Sequence, residues 1–302
     1  MKNKGHAIFC AFLAAVLYAV NIPASKLLLA HVSPVFMASF LYFGAGLGMA
    51  VVSLLSRGHT KKEPPLTRAE LPYTLGMIVL DIAAPIFLML GLQNAASANV
   101  SLLNNFEIVA TSLIALLVFR EKISGVLWTA LGFITAASVL LSFSGTESLQ
   151  FSAGSLFVLA ACLCWGLENN CTRALSSKSA VQIVILKGIF SGLGSLIVAF
   201  LAGDAFPGVS HLLLALLLGF VSYGLSIFFY VRAQKYIGAA STSAYYSVSP
   251  FIGALLSFVF FDEALSKTYP IALVVMLIGA AFAVMDTLQI HPFHKKSGVE
   301  QS

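Results

Sequence analysis

The feature that most limits what this chain can fold into is its succession of long apolar runs. A helix needs about 20 apolar residues to cross the hydrocarbon core of a bilayer. Ten such runs follow one another: roughly 6–29, 34–56, 71–92, 98–118, 125–144, 153–173, 180–202, 210–232, 240–261 and 268–286. Only 10% of the 302 residues are charged, against about 25% in a soluble domain, and the mean hydropathy is +0.94. In lipid every backbone polar group must be bonded within its own segment, so runs of this length read as helices. The expected fold class is an all-α integral membrane protein with ten transmembrane helices.

The first run follows Lys2 and Lys4, as a signal sequence would. Yet His6 to Leu29 is longer than the about 7–15 apolar residues of a signal peptide, and no small-x-small cleavage site follows. It is expected to be a retained first span. The longest connection, RGHTKKEPPLTRAE at 57–70, carries the helix-breaking pair Pro64–Pro65. The polar end HPFHKKSGVEQS, 291–302, reads as a disordered tail.

Basic residues fix the expected orientation. Of the 17 Lys and Arg, Lys26 and Lys187 fall within spans and Lys267 in an outside loop, which leaves 14 on one side when the N-terminus is cytoplasmic. Both termini are therefore expected in the cytoplasm. The net charge of +5 follows from this topology and not from a nucleic-acid surface, because no basic stripe interleaves with aromatics. Cys10, Cys162, Cys164 and Cys171 all lie in spans without zinc-site spacing and read as small buried residues. No metal and no cofactor is expected.

The chain repeats itself. FREKIS at 119–124 answers FDEALS at 261–266, each closing an apolar span opened by small polar residues, SANVS and AASTS. YAVNIPASKLLL at 18–29 answers WGLENNCTRALS at 165–176, setting Tyr18 against Trp165, Asn21 against Glu168 and Lys26 against Arg173. Gly46 and Gly48 likewise answer Gly192 and Gly194. Five spans are followed by five related ones. Five is odd, so the second set enters the membrane from the opposite side, an inverted repeat of the kind secondary transporters use. The expected units are 6–144 (first five spans), 153–286 (second five) and the tail 287–302.

With these marks the chain resembles a ten-span, EamA-type member of the drug/metabolite transporter superfamily. The resemblance spans residues 6 to 286. It rests on FREKIS and FDEALS, on Ser249-Pro250 in span nine, on Lys26 and Arg173, and on the stretches SLLNNFEIVATSLIALLVFRE, GLENNCTRALS and AASTSAYYSVSPFIGA. The first repeat departs from the second in having Ile108 where Pro250 stands. The resemblance implies a central cavity lined by spans one, three, four, six, eight and nine. It also implies transport, often outward, of small organic metabolites such as amino acids, related compounds or drugs.

Five ionisable groups lie inside spans or near their ends: Lys26, Asp81, Glu107, Glu168 and Lys187. Each costs about 2.5–3.5 kcal/mol at a helix centre. Together they approach the whole stability of a typical domain, about 5–15 kcal/mol, so they must pair, take up a proton or face water. Glu107 is the most central. It sits at the edge of a polar stripe that includes Ser97, Ser101, Asn104, Asn105, Thr111 and Ser112. Two roles fit it: handling substrate or protons, or holding helices together against a cation such as Lys187. Asp81 precedes Pro85 by four residues, which fits either a kink beside a cavity or a bond across helices. Glu168 and Asn169 belong to a dense polar group, and Asn21 matches Glu168 across the repeat, which points to a site at the repeat interface. Lys187 reads as an anion holder or a balance for a carboxylate. Lys26 reads as a cavity charge or as a chain snorkelling to the surface. Tyr245 and Tyr246 fall at cavity level in span nine and could stack on a ligand, or merely pack. The expected substrate and cavity residues are Asn21, Asp81, Asn104, Glu107, Glu168, Asn169, Tyr245 and Tyr246, with Lys26 and Lys187 as charge partners. The glycine runs read as close helix packing.

The leading reading is a secondary transporter with a small-molecule substrate and lipid around it, in the cell membrane. No P-loop is present, so ATP is not expected to drive it. Facilitated uptake and proton-coupled exchange stand beside export. A membrane-embedded lipid-modifying enzyme would need clustered His or Asp. The six histidines are scattered near the membrane faces instead, so no enzyme is expected. A receptor would ordinarily carry a soluble output domain. A channel would pass current without saturating.

Overall fold

The computed structural model describes residues 2–55, 64–120, 123–144, 150–175, 178–230, 232–233, 245–261 and 268–288. Glu121, Lys122, Glu263 and Lys267, the AASTS stretch at 239–243, most of FDEALS and the tail lie outside them, as does the 57–63 part of the long connection.

Helices α1 (Lys2–Ala19) and α2 (Asn21–Leu28) form the first apolar stretch, followed by α3 (Pro34–Leu55) and α4 (Leu71–Asn94). The next stretch is split into α5 (Ser97–Leu103) and α6 (Phe106–Phe119), and α7 (Gly125–Ser142) follows. After a two-residue antiparallel pairing of 143–144 with 150–151 come α8 (Ala153–Leu175), α9 (Ala180–Leu201) and α10 (Val209–Gly219). The last continues through a π-turn at Phe220–Leu225; α11 (Ser249–Phe260) and α12 (Tyr269–Thr287) complete the described fold. Among the described residues, seven helical stretches are long and apolar enough to cross a membrane, and α7 and α11 are shorter apolar helices.

The distribution of polarity suits lipid. Leu201 is 82% exposed and Leu55 83%, whereas Asp81 is fully buried and Glu168 is 3% exposed. Apolar side chains face outward and charges face the protein interior, as a bilayer solvent requires.

Small residues set the helix spacing. A Cβ at Gly46 would meet Ile189 N at 2.7 Å, and one at Gly188 would overlap the backbone of Gly46, so α3 and α9 touch backbone to backbone. Gly219 stands equally close to Leu41 on α3, and Gly91 on α4 would meet Val158 on α8 at 2.6 Å. Lipid offers no hydrophobic drive between helices, so this close van der Waals fit is what holds them. The glycine-run reading agrees: a Cβ at Gly192 would meet Phe43 at 2.9 Å, and Gly48 abuts Phe220.

The strongest helix pairings join the early and late parts of the chain: α4 with α8, α3 with α9, and α7 with α12. This interleaving brings distant polar residues together.

Candidate functional site

The stretch 98–118, expected as one helix, is interrupted at Asn104–Asn105. There the bonding tightens by one residue: Asn105 N donates to Leu102 O at 3.1 Å, Glu107 N to Asn104 O at 3.1 Å, and Ile108 N to Asn105 O at 3.0 Å. Asn side chains compete with the helical ladder, which makes a consecutive pair a natural break. The break puts Glu107 in the first turn of α6, where the helix dipole favours a negative charge. The Leu103 carbonyl, left by its usual donor, meets Cys162 Sγ at 3.8 Å.

Two further stretches break nearby. Span one changes from α1 to α2 at Val20, and Pro23 has no N–H to offer the Ala19 carbonyl. Ahead of α11 the chain turns at 247–248, and Pro250 sits in the helix's first turn, where its missing N–H costs least. The three breaks surround a cavity of about 10 Å³ lined by Tyr18, Ala19, Ser101, Asn104, Ser249 and Gly253 among others.

Tyrosines gather beside it. The Tyr18 ring lies 5.9 Å from Tyr223 and 5.7 Å from Tyr246, and Tyr246 lies 5.0 Å from Tyr230. Asn104 Nδ2 donates to the Tyr18 hydroxyl at 3.2 Å. Asn21 Nδ2 reaches the Tyr223 hydroxyl at 3.5 Å, and its Oδ1 accepts from Ser25 at 3.1 Å. The Tyr246 hydroxyl is 3.4 Å from Ser226 Oγ. Tyr245 turns away from this group and packs on Phe12 at 5.2 Å.

The buried charges resolve into two sets. Glu107 Oε1 accepts from Asn169 Nδ2 at 2.6 Å, and the same amide reaches Thr111 Oγ1 at 3.2 Å. One residue earlier on α8, Glu168 Oε1 takes Lys187 Nζ at 3.0 Å and the Thr172 hydroxyl. Lys187 Nζ also lies 3.0 Å from Asp81 Oδ2, an ion pair without aligned hydrogen-bond geometry. The other Asp81 oxygen accepts from Tyr42 at 2.7 Å. Tyr42 in turn packs edge-on to Tyr223 at 5.2 Å. A polar path thus runs from Asn21 through Tyr223, Tyr42, Asp81 and Lys187 to Glu168.

These contacts decide between readings left open by the residues alone. Lys187 bonds Asp81 and Glu168, while the hydrogen bond of Glu107 comes from the Asn169 amide. Asp81 bonds across helices, and α4 runs without interruption through Pro85. Lys26, which is partly exposed, is bonded at the end of a neighbouring helix. Its Nζ donates to Leu92 O at 2.6 Å and Ala95 O at 2.8 Å, closing the C-terminal end of α4. Sequence reasoning missed Tyr42, Tyr223, Tyr230, Thr172 and Ser226, and placed Thr111 in the polar stripe without naming its partner Asn169. The asparagine pair was the one visible sign of the break at 104–105.

Comparison with known proteins agrees with this architecture. A curated protein of Methanothermobacter thermautotrophicus, described as an uncharacterized transporter, is 24% identical over 284 residues, 88% of this chain and 82% of that one. A protein of solved crystal structure shares the fold at a TM-score of 0.69 with 19% identity, covering 95% of this chain and 99% of the other. The model of the EamA-like transporter family matches residues 5–143 and again 152–285. This multi-pass membrane chain therefore belongs to the EamA-like transporter family.

Proposed function

We propose that the chain is a ten-span secondary transporter of the cell membrane, built as two inverted five-helix halves with both termini cytoplasmic. It moves a small organic metabolite, amino acids and related compounds or drugs being the expected class, outward by alternating access. The observation that carries this reading is the meeting of three interrupted helical stretches, from both halves, at one polar centre. Interrupted helices in a membrane are tolerated where they line a cavity, and such breaks mark substrate sites in transporters built on repeats. The two separate family matches support the halves 6–144 and 153–286. So do the helix pairings, because α3 with α9 and α7 with α12 join elements of equal rank in each half.

The site is formed by Asn104, Glu107, Asn169 and Tyr246 with Asn21, Tyr18 and Tyr223. Asp81, Lys187 and Glu168 form the charged buttress behind it. A metabolite pocket measures about 300–1,000 Å³, so rearrangement of the halves must open the small cavity seen here. Proton-coupled exchange is a second form of the same reading. It is favoured by Glu107, a carboxylate on the central helix break whose hydrogen-bond donor is an amide and not a cation.

The test compares small-molecule profiles inside and outside cells expressing wild type or Glu107→Gln at equal membrane levels. Outward movement of a compound by wild type and its loss in the variant support the proposal. Equal movement by both removes Glu107 from the mechanism and shifts the site to Glu168 and Asn21.

A further inference from the structure

The helices α3 and α9 carry a serine cap each. Ser33 Oγ, just before α3, accepts from Phe36 N at 3.3 Å, and Ser179 Oγ, just before α9, accepts from Gln182 N at 3.5 Å. Ser33 and Ser179 stand at the same spacing as Gly46 and Gly192. The two helices pack antiparallel: Gly46 meets Gly188, Ser39 Oγ donates to Gly192 O at 2.8 Å, and Phe36 lies edge-on to Phe200 at 5.5 Å. Both are long and apolar enough to span. The start of α3 and the end of α9 therefore share one membrane face, and the end of α3 and the start of α9 share the other.

A polar bridge lies at each end of this pair. On the first face Ser33 Oγ donates to Asp204 Oδ2 at 2.5 Å. Gly203, at a φ of 73°, turns the chain after α9, and Asp204 N returns to Ala199 O at 3.1 Å, which holds Asp204 beside α3. His31 stacks on His211 at 4.3 Å in the same region. On the opposite face Ser179 N donates to Pro64 O at 3.0 Å, and Leu66 N to Gln182 Oε1 at 3.0 Å. Lys178 Nζ lies 3.1 Å from Glu70 Oε1, and Thr67 N holds the other Glu70 oxygen at 2.7 Å.

The two bridges are mates under the inverted repeat. Each joins the connection between the first and second spans of one half to the connection between the second and third spans of the other. Midway between them Gly46 and Gly188 touch backbone to backbone. No side chain interlocks at that contact to fix the crossing angle, so it can act as a pivot. Rotation there parts the helix ends on one face and presses them together on the other. The bridges themselves are polar bonds at the membrane faces. Water replaces such bonds at small net cost.

We propose that these bridges are the two gates of the transporter: Ser33–Asp204 on one face, and Lys178–Glu70 with Ser179–Pro64 and Gln182–Leu66 on the other. They open in turn about the Gly46–Gly188 contact. The proposal rests on the alternating-access reading above. Both bridges are closed in this structure, in keeping with a central cavity of only about 10 Å³.

The experiment locks each bridge with a disulfide in the full chain in membranes, Ser33→Cys with Asp204→Cys or Pro64→Cys with Ser179→Cys. The reporter is Ser249→Cys in the cavity. It is labelled with a membrane-impermeant methanethiosulfonate reagent, in intact cells and in inside-out vesicles, over the background of protein without the reporter. Unlocked protein reacts from both faces. The first lock lowers the rate from the Ser33 face at least about tenfold, because the state open to that face is no longer populated, and spares the other face. The second lock does the reverse, and reduction restores both rates. Asp204→Asn and Glu70→Gln, which weaken a bridge without adding a link, raise the rate from the corresponding face and serve wherever a cysteine pair disturbs folding. Pairs that fail to cross-link in well-folded protein, locks that leave both rates unchanged, or weakened bridges that raise neither rate overturn the proposal and leave a carrier gated elsewhere. A reporter that reacts from neither face in unlocked protein overturns the alternating-access reading as well.

Discussion

Asn169 Nδ2 on α8 meets Glu107 Oε1 on α6 at 2.6 Å. The bond ties the helix that starts at the central break to the helix that carries Glu168. It also spares a carboxylate within the membrane from lacking a donor, without giving it a cation.

Glu107→Gln keeps an oxygen for the Asn169 amide and removes the charge. The variant should reach the membrane at wild-type level, with its melting point within about 2–4 °C of wild type, a change of about 1 kcal/mol. Transport should fall at least about tenfold, the scale of one lost charged contact. Asn169→Asp has the opposite effect on folding. It sets a second carboxylate against Glu107 and should lower the yield of folded protein in size-exclusion profiles.

Lys187→Met leaves Asp81 and Glu168 buried without their shared cation. Breaking a buried pair in this way costs about 3–5 kcal/mol, so the variant should be poorly expressed and unstable in detergent. Replacing all three charges together, Asp81→Asn, Glu168→Gln and Lys187→Met, should recover most of the lost stability. If the triple variant is as unstable as the single one, the cluster is not held by charge balance.

The contact of α3 with α9 leaves no space for a side chain. Gly188→Leu should prevent folding, because the new atoms would overlap the Gly46 backbone. Gly125→Ala meets nothing within 4 Å and should be neutral or slightly stabilising. A monodispersity measurement on the two variants separates these outcomes.

Lys26→Met removes two charge-assisted bonds to the end of α4. Bonds to charged groups contribute about 1.5–3 kcal/mol each at most. A loss of about 2–3 kcal/mol is therefore expected in denaturant titration, with little change in substrate selectivity.

Apolar runs and glycine spacing made the helical stretches legible, because span length and close packing are properties of one segment at a time. The buried acids were legible for the same reason, each being costly where it stands. Pairings were not. Nothing in the residues near Asp81 names Tyr42 or Lys187, because the contact depends on how α3, α4 and α9 pack. Lys26 read as a cavity charge or a surface-seeking chain, since no local pattern shows that the end of α4 lies beside it. The break at Asn104–Asn105 was missed because the apolar stretch continues on both sides. Tyr245 and Tyr246 are adjacent and alike, yet one packs on Phe12 and the other joins the tyrosine group, as adjacent helical residues point apart.

The most direct test of the central claim is flux in proteoliposomes holding purified protein and the compound found by profiling. Wild type should show saturable, counterflow-stimulated movement, and Glu107→Gln should lose most of it at equal incorporation. Equal flux through both proteins, or flux that never saturates, would contradict a carrier working around Glu107.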